Sequence, residues 1–212
     1  MATDIIFRPA QLDDLEPLAA LYTHHWCNGV PDLNDKLLAA RHCVIIQLVR
    51  SPLSIVAEKD GEVVGVCLGC VTSDGHAPVA DAWVPSYKRI HAEALERAKT
   101  ANERLEGSLF GDQRELAKAD DFISQGSPYA EAQLNLIMVE PWLKSRRLGS
   151  ALFERMTELM REAGAQHFFL MSDTASDYTY YEHRGMRCIA SYPDDPADPH
   201  SWAALMYGGD LA

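Results

Sequence analysis

Apolar positions along the chain change their spacing between about 3.6 and 2, and each change marks an element. Residues 5 to 8, ahead of Pro9, predict a short strand. Leu12, Leu15, Leu18, Ala19 and Tyr22 then recur at helical spacing. The run His24-His25-Trp26-Cys27-Asn28-Gly29-Val30-Pro31 breaks that period, after which Asp32 is placed to cap a second helix carrying Leu33, Leu37, Leu38, Ala40 and Ile45. Pro52 stops it. Residues 55–59, Asp60-Gly61 and 63–68 predict a β-hairpin, because Asp-Gly accepts the positive φ that a tight two-residue turn requires.

From His76 to Pro128 the α/β rhythm is suspended for too long to be a structureless loop. Ile90, Ala94, Leu95, Ala98, Ala101 and Leu105 predict one helix over 87–105, and a shorter helix is expected over 113–122. Between Ser86 and Asp120 there are seven basic and seven acidic residues, which reads as a solvated helical face. Strand alternation resumes at Tyr129. Ala130, Ala132, Leu134, Leu136 and Met138 are expected on one face, with Glu131, Gln133, Asn135 and Ile137 opposite, until Pro141. An amphipathic helix follows over 146–163, then a buried strand over 167–171, a helix over 175–184 and two last strands over 186–192 and 202–207.

At 212 residues the chain reads as one domain, 1–212, with 76–128 inserted into it. With 31 acidic against 19 basic residues, a net charge of −12 and a pI near 5.0, a general nucleic-acid or anionic-membrane surface is not expected. A neutral or cationic substrate suits that charge better. The five cysteines are an odd number, mostly inside apolar stretches, and suggest a reducing cytosol. No signal peptide or membrane span is expected, so the reading is cytoplasmic. Cys67-x-x-Cys70 stands without a second ligand pair, and no metal is expected.

The stretch from Val139 to Ala151 joins a predicted strand to a helix start. A helix start presents unpaired N–H groups and positive partial charge, and the small residues Gly149, Ser150 and Ala151 allow an anion to approach the backbone. Lys144, Arg146 and Arg147 add local positive charge in an acidic chain. Phosphate is the ligand this chemistry suits, although the same pattern also serves as a solvated basic helix start. Neither a phosphate-binding loop of the nucleotide triphosphatase kind nor a dinucleotide fingerprint is present, and no Gly-x-Ser-x-Gly elbow accompanies Ser172-Asp173 and His167.

Arg146-x-x-Gly149-x-Ala151, after a strand ending Val139-x-Pro141, resembles motif A of the GNAT N-acetyltransferase superfamily. Tyr180-Tyr181-Glu182-His183-Arg184-Gly185-Met186 is similar to that family's second signature. The resemblance covers nearly the whole chain outside 76–128. It implies an α/β (α+β) fold with a central mixed, mostly antiparallel sheet, splayed between strands 4 and 5, flanked by helices, with the helical insertion between strands 3 and 4. It also implies acetyl-CoA as co-substrate and direct transfer of the acetyl group to a primary amine, in a small molecule, a peptide N-terminus or a lysine. The alternative is a non-catalytic CoA-binding or regulatory module of the same fold. A homodimer is left open.

By the same resemblance, backbone groups of Ile137, Met138 and Val139 would pair with the pantetheine arm. The N–H groups of Arg147, Leu148, Gly149, Ser150 and Ala151 would hold the pyrophosphate, with Lys144 and Arg146 nearby. Tyr181 would be the general acid, and a backbone N–H near Met138 or Val139 the oxyanion donor. The base is open among Glu131, Gln133 holding a water, Asp173 and Asp177; Asp173 also reads as a helix cap. Where the family often has Asn-x-x-Ala-x-x-x-Tyr, this chain has Thr174-x-x-Asp177-x-x-x-Tyr181, and Thr174 and Asp177 fall at the cofactor-binding positions. His25 and Trp26, with Trp83 and Tyr87 of the insertion, are expected to wall the acceptor site.

Overall fold

The computed structural model describes residues 5–198 and 200–211, without the side chains of 144–146. The chain runs β1 (Ile6–Arg8), α1 (Leu15–Thr23), α2 (Leu33–Val49), β2 (Leu53–Lys59), β3 (Glu62–Val71), α3 (Val84–Ala98), α4 (Glu103–Phe110) and α5 (Asp112–Ser124). It continues through β4 (Ala132–Val139), α6 (Leu148–Glu162), β5 (His167–Asp173), α7 (Thr179–His183), β6 (Arg187–Pro193) and β7 (Ala203–Asp210). Among the described residues the strands form one seven-stranded sheet in the order β1-β2-β3-β4-β5-β7-β6. Neighbours are antiparallel except β4 and β5, which run parallel and pair only at Gln133 with Phe169 and Leu134 with Leu170. The sheet is therefore mixed, mostly antiparallel and splayed between β4 and β5.

Local chemistry accounts for the element ends. Asp60 and Gly61 both have positive φ and close the β2–β3 hairpin. The Asp32 carboxylate accepts the Asp35 N–H at the start of α2. Three helix boundaries differ from the sequence expectation. The helix predicted over 87–105 is two, because the Asn102 side chain caps a new start at the Leu105 N–H. The helix predicted from 146 begins at Leu148, after a 3-10 turn over Pro141–Arg146 and a left-handed Arg147 with φ 59°. The helix predicted over 175–184 is confined to Thr179–His183, since the Asp173 carboxylate binds the Ala175 N–H and the Ser176 hydroxyl and holds that stretch as a turn.

Two apolar layers sandwich the sheet. On one face α1 to α4 enclose Leu18, Leu21, Ile45, Leu48, Ile90 and Leu109 against Val56, Val66 and Leu68 of the sheet. On the other, α6 lays Leu152, Phe153, Met156 and Met160 over Ile55, Cys67, Phe168 and Leu170. A smaller cluster places Ala119 and Ile123 of α5 over Phe169 and Met206. Helix α5 thus reaches from α2, where Arg50 pairs with Asp120, across to the β5–β7 half of the sheet.

The strand β4 departs from simple alternation. Leu68 of β3 faces Leu136, but the next residue, Gly69, faces Leu134, so Asn135 is an extra residue on β4. Leu134 belongs to the α6 layer, whereas Leu136 and Met138 belong to the α1–α4 layer. One inserted residue exchanges the faces of everything after it, so the expected common face for Leu134, Leu136 and Met138 does not exist.

Candidate active site

Where β4 and β5 separate, a cleft of about 690 Å³ opens, bounded by β4 from Leu134 to Val139, the end of β5, the starts of α6 and α5, α7, and the loop after α1. Three features converge there. The first is backbone. Glu140 N–H donates to the Val64 carbonyl, so by alternation the backbone groups of Met138 point to β3 and those of Ile137 and Val139 point into the gap. The backbone groups of Ile137 and Val139 therefore form an edge without a strand partner that faces the cleft, whereas those of Met138 are turned to β3. The Val139 carbonyl on this edge meets His25 Nε2 at 2.8 Å, which ties the loop after α1 to the end of β4. Its neighbour His24 approaches Glu140 at 3.3 Å.

The second feature is the start of α6. Arg147, in the left-handed conformation, offers no side-chain cap, and the first intrahelical bond runs from Ala151 N–H to the Arg147 carbonyl at 3.0 Å. The N–H groups of Leu148, Gly149 and Ser150 thus precede the helical ladder, whereas that of Ala151 is already committed. A Cβ added to Gly149 would meet nothing within 4 Å, so the space above it is open. Arg147, Gly149 and Ser150 line the cleft, while Ala151 lines a groove on the other side of α6 and the Leu148 side chain is core. The side chains of Lys144 and Arg146 lie outside the described residues. An anion-binding start with positive dipole, open backbone and no competing cap fits a phosphate group.

The third feature is Tyr181. It packs against Tyr207 with ring centroids 5.7 Å apart and edge-on to Tyr180 at 5.4 Å. Its hydroxyl has no hydrogen-bond partner among the described residues. Burial, with the fields of Cys67, Tyr180, Asp173 and Asp177 adding to it, raises its pKa, so the phenol keeps its proton at neutral pH. The adjacent Glu182 accepts a 3.0 Å bond from the buried Tyr207 hydroxyl, which fixes α7 to β7 behind Tyr181.

The remaining sequence-predicted residues divide. Asp173, Asp177, His25 and Trp26 line the cleft. Thr174 does not; its N–H and hydroxyl both bond the backbone of Ala203, joining it to β7. Glu131 sits at the opposite end of β4, where its carboxylate accepts the Gln166 and His167 N–H groups, bonds that hold its pKa below the ordinary range. Gln133 is buried in the pairing with Cys70 and Phe169. Trp83 belongs to the α1–α4 core, and Tyr87 stacks on His91 at 5.2 Å. Neither lines the cleft.

Tyr22, Gln47, Asp112, Glu115 and Trp202 also line the cleft, and the sequence reading gave none of them a place in the site. The face read as solvated sends Asp112 and Glu115 into the cleft. Burial raises the pKa of Asp112, and burial together with Asp112 and Asp173 pushes Glu115 up to about 7. Gln47 carried the one available signal, as a polar residue inside the run Val44-Ile45-Ile46-Gln47-Leu48-Val49.

No protein-family profile matches the chain, and no curated protein matches its sequence. Solved structures do match its fold. The protein SsHAT is 20% identical with a TM-score of 0.63, over 99% of both chains. A protein from Desulfovibrio desulfuricans assigned to the GNAT acetyltransferase family is 14% identical with a TM-score of 0.57, over 99% of this chain and 100% of its own. A Drosophila melanogaster polyamine N-acetyltransferase, which forms N-acetylagmatine, is 18% identical with a TM-score of 0.55, over 98% and 100%. At these identities the likeness is one of fold.

Proposed function

We propose that this chain, which has the fold of the GNAT acetyltransferases, is an acetyl-CoA-dependent N-acetyltransferase acting on a primary amine. The observation that carries the proposal is convergence: an unpaired strand edge, an uncapped helix start and the unpartnered hydroxyl of a half-buried tyrosine meet in one cleft. Bound acetyl-CoA would supply an activated acyl thioester. The N–H groups of Leu148, Gly149 and Ser150 bind its pyrophosphate, and the free edge of Ile137 and Val139 orients the pantetheine arm. An N–H of that edge stabilises the negative charge that grows on the carbonyl oxygen. As the amine nitrogen bonds to the acyl carbon and the carbon–sulfur bond breaks, Tyr181 gives its proton to the sulfur. Asp173 and Asp177, which line the cleft with Tyr181 and whose fields act on it, receive the proton that leaves the nitrogen. Glu131 and Thr174 have no part in this reading, since neither lines the cleft.

Titration calorimetry of acetyl-CoA, together with thiol release over an amine and peptide panel, tests the proposal. Binding with amine-dependent thiol release supports it. Binding without release over the whole panel would replace it by a non-catalytic CoA-binding module, and no binding would overturn both.

A further inference from the structure

Helices α5 and α2 supply part of the lining of the cleft, and that part is rich in acceptors that are unpaired or only weakly paired. Glu115 makes no hydrogen bond or ion pair with any described residue. Asp112 has only two long contacts, 3.4 Å to the Tyr22 hydroxyl and 3.4 Å to Gln47 Nε2. Gln47 is 7% exposed and lines the cleft, and its Oε1 has no partner. Turning the Gln47 amide over would set its oxygen against the Asp112 carboxylate, so the unpartnered oxygen is fixed by its neighbour. The Asn135 Oδ1, on the bulge of β4 that lines the same cleft, is likewise buried without a partner.

A buried acceptor left unpaired costs roughly 1–3 kcal/mol, and proteins rarely carry two beside two carboxylates without a donor to complete them. The missing chemistry is an N–H donor with positive charge. An ammonium group has three such donors and no acceptor. Among the described residues the only cationic side chain lining the cleft, apart from the His25 imidazole, is Arg147, at the α6 start. Asp173 and Asp177 on the Tyr181 side already answer to the reacting amine, so the α5 pair is a second anionic centre. The cleft that holds both is lined as well by the apolar side chains of Leu134, Leu136, Met171, Trp26 and Trp202.

We propose that Asp112, Glu115 and Gln47 form a subsite for a second cationic nitrogen of the acceptor, and that the acceptor is an aliphatic diamine. The diamine's reacting nitrogen lies toward Tyr181, its alkyl spacer crosses the apolar walls and its distal ammonium donates to the α5 carboxylates and to Gln47 Oε1. This rests on the acetyl-transfer reading for the identity of the acceptor, but binding can be measured without turnover.

The experiment compares 1,3-, 1,4- and 1,5-diaminoalkanes with the n-alkylamines of equal length on the CoA-loaded protein, by calorimetry and by thiol release with acetyl-CoA. At least one diamine should bind at least tenfold more tightly than its monoamine. That preference should collapse about tenfold or more in Asp112→Asn/Glu115→Gln and in Gln47→Leu, with acetyl-CoA affinity retained as the sign of an intact fold. Equal affinities across every pair, or a preference that survives both variants, would overturn the subsite. A diamine that binds with the expected preference but is never acetylated would overturn acetyl transfer and leave the subsite standing. Monoamines and diamines acetylated equally well would do the reverse.

Discussion

Leu134 pairs with Leu170 and is the last residue of β4 to pair with β5; the next residue, Asn135, is the bulge. The two facts are one device. The bulge turns β4 while β3 still holds it, which swings Leu136 and Met138 onto the α1–α4 layer and leaves the edge at Ile137 and Val139 without a strand partner. Asn135 is held in place by its Nδ2, which donates to Ser51 Oγ at 2.7 Å and to the Arg50 carbonyl at 3.2 Å.

Deleting Asn135 tests that reading. Without the extra residue β4 would run in unbroken register, and Leu136 to Val139 would each present the opposite face, which sets Leu136 and Met138 against the wrong layer. The variant should lose acetyl-CoA binding and several kcal/mol of stability, whereas Asn135→Ala, which keeps the bulge and loses two hydrogen bonds, should cost about 1–2 kcal/mol. Equal denaturation midpoints for the two variants would remove the bulge from this role.

Gly149 separates packing from ligand binding. A Cβ there meets nothing within 4 Å, so Gly149→Ala should fold with stability equal to the parent or raised by up to about 1 kcal/mol, since alanine is the better helix residue. Gly149→Glu should fold as well, yet its negative charge at the α6 start should weaken acetyl-CoA by tenfold or more in calorimetry. If both variants bound acetyl-CoA as the parent does, the α6 start would not be the phosphate site.

Much of this fold can be read from the chain because its elements have strong local signals: the Asp60-Gly61 turn, the Asp32 cap and the period of α6 all stand where their residues demand. The order of elements follows from the same periodicity, and the splay of the sheet from the resemblance carried by Gly149 and Tyr181. What escapes is decided by contacts between distant segments. Nothing in the spacing of β4 distinguishes a bulge at Asn135 from plain alternation. Trp83 looks like a wall residue in sequence and is core, because α3 packs back on α2. Asp112 and Glu115 look solvated, and only the placement of α5 shows that both line the cleft and that Tyr22 and Gln47 reach Asp112.

Tyr181→Phe removes one oxygen from a ring that stays packed between Tyr180 and Tyr207. No hydrogen bond within the described protein is lost, so the melting temperature should hold within a few degrees and acetyl-CoA affinity should be kept. Loss of a positioned acid typically lowers the rate by 10² to 10⁴, so thiol release at saturating amine should fall in that range. A rate within twofold of the parent would take Tyr181 out of the reaction.

Glu115 makes stability depend on pH in a direction that is unusual for a carboxylate. Its pKa is pushed from the ordinary 4.5 up to about 7 by burial, by Asp112 and by Asp173, with Lys118 opposing. Between those values the folded state holds a proton that the unfolded chain releases. Folding is therefore favoured at the acid end of the window, and the contribution is lost as pH rises from about 4.5 to about 7, with a slope of at most about 1.4 kcal/mol per pH unit. Above 7 both states are ionised and the dependence ends. Glu115→Gln cannot titrate, so unfolding free energies measured by denaturant at pH 5 and pH 7 should show the parent losing ground to the variant across that interval. Parallel profiles would mean that Glu115 is solvated. A cation in the cleft reverses the preference by favouring the carboxylate. Diamine binding at pH 6 should accordingly release a larger fraction of a proton from the parent than from the variant, in which Asp112 alone remains, read from the dependence of the binding enthalpy on the ionisation heat of the buffer.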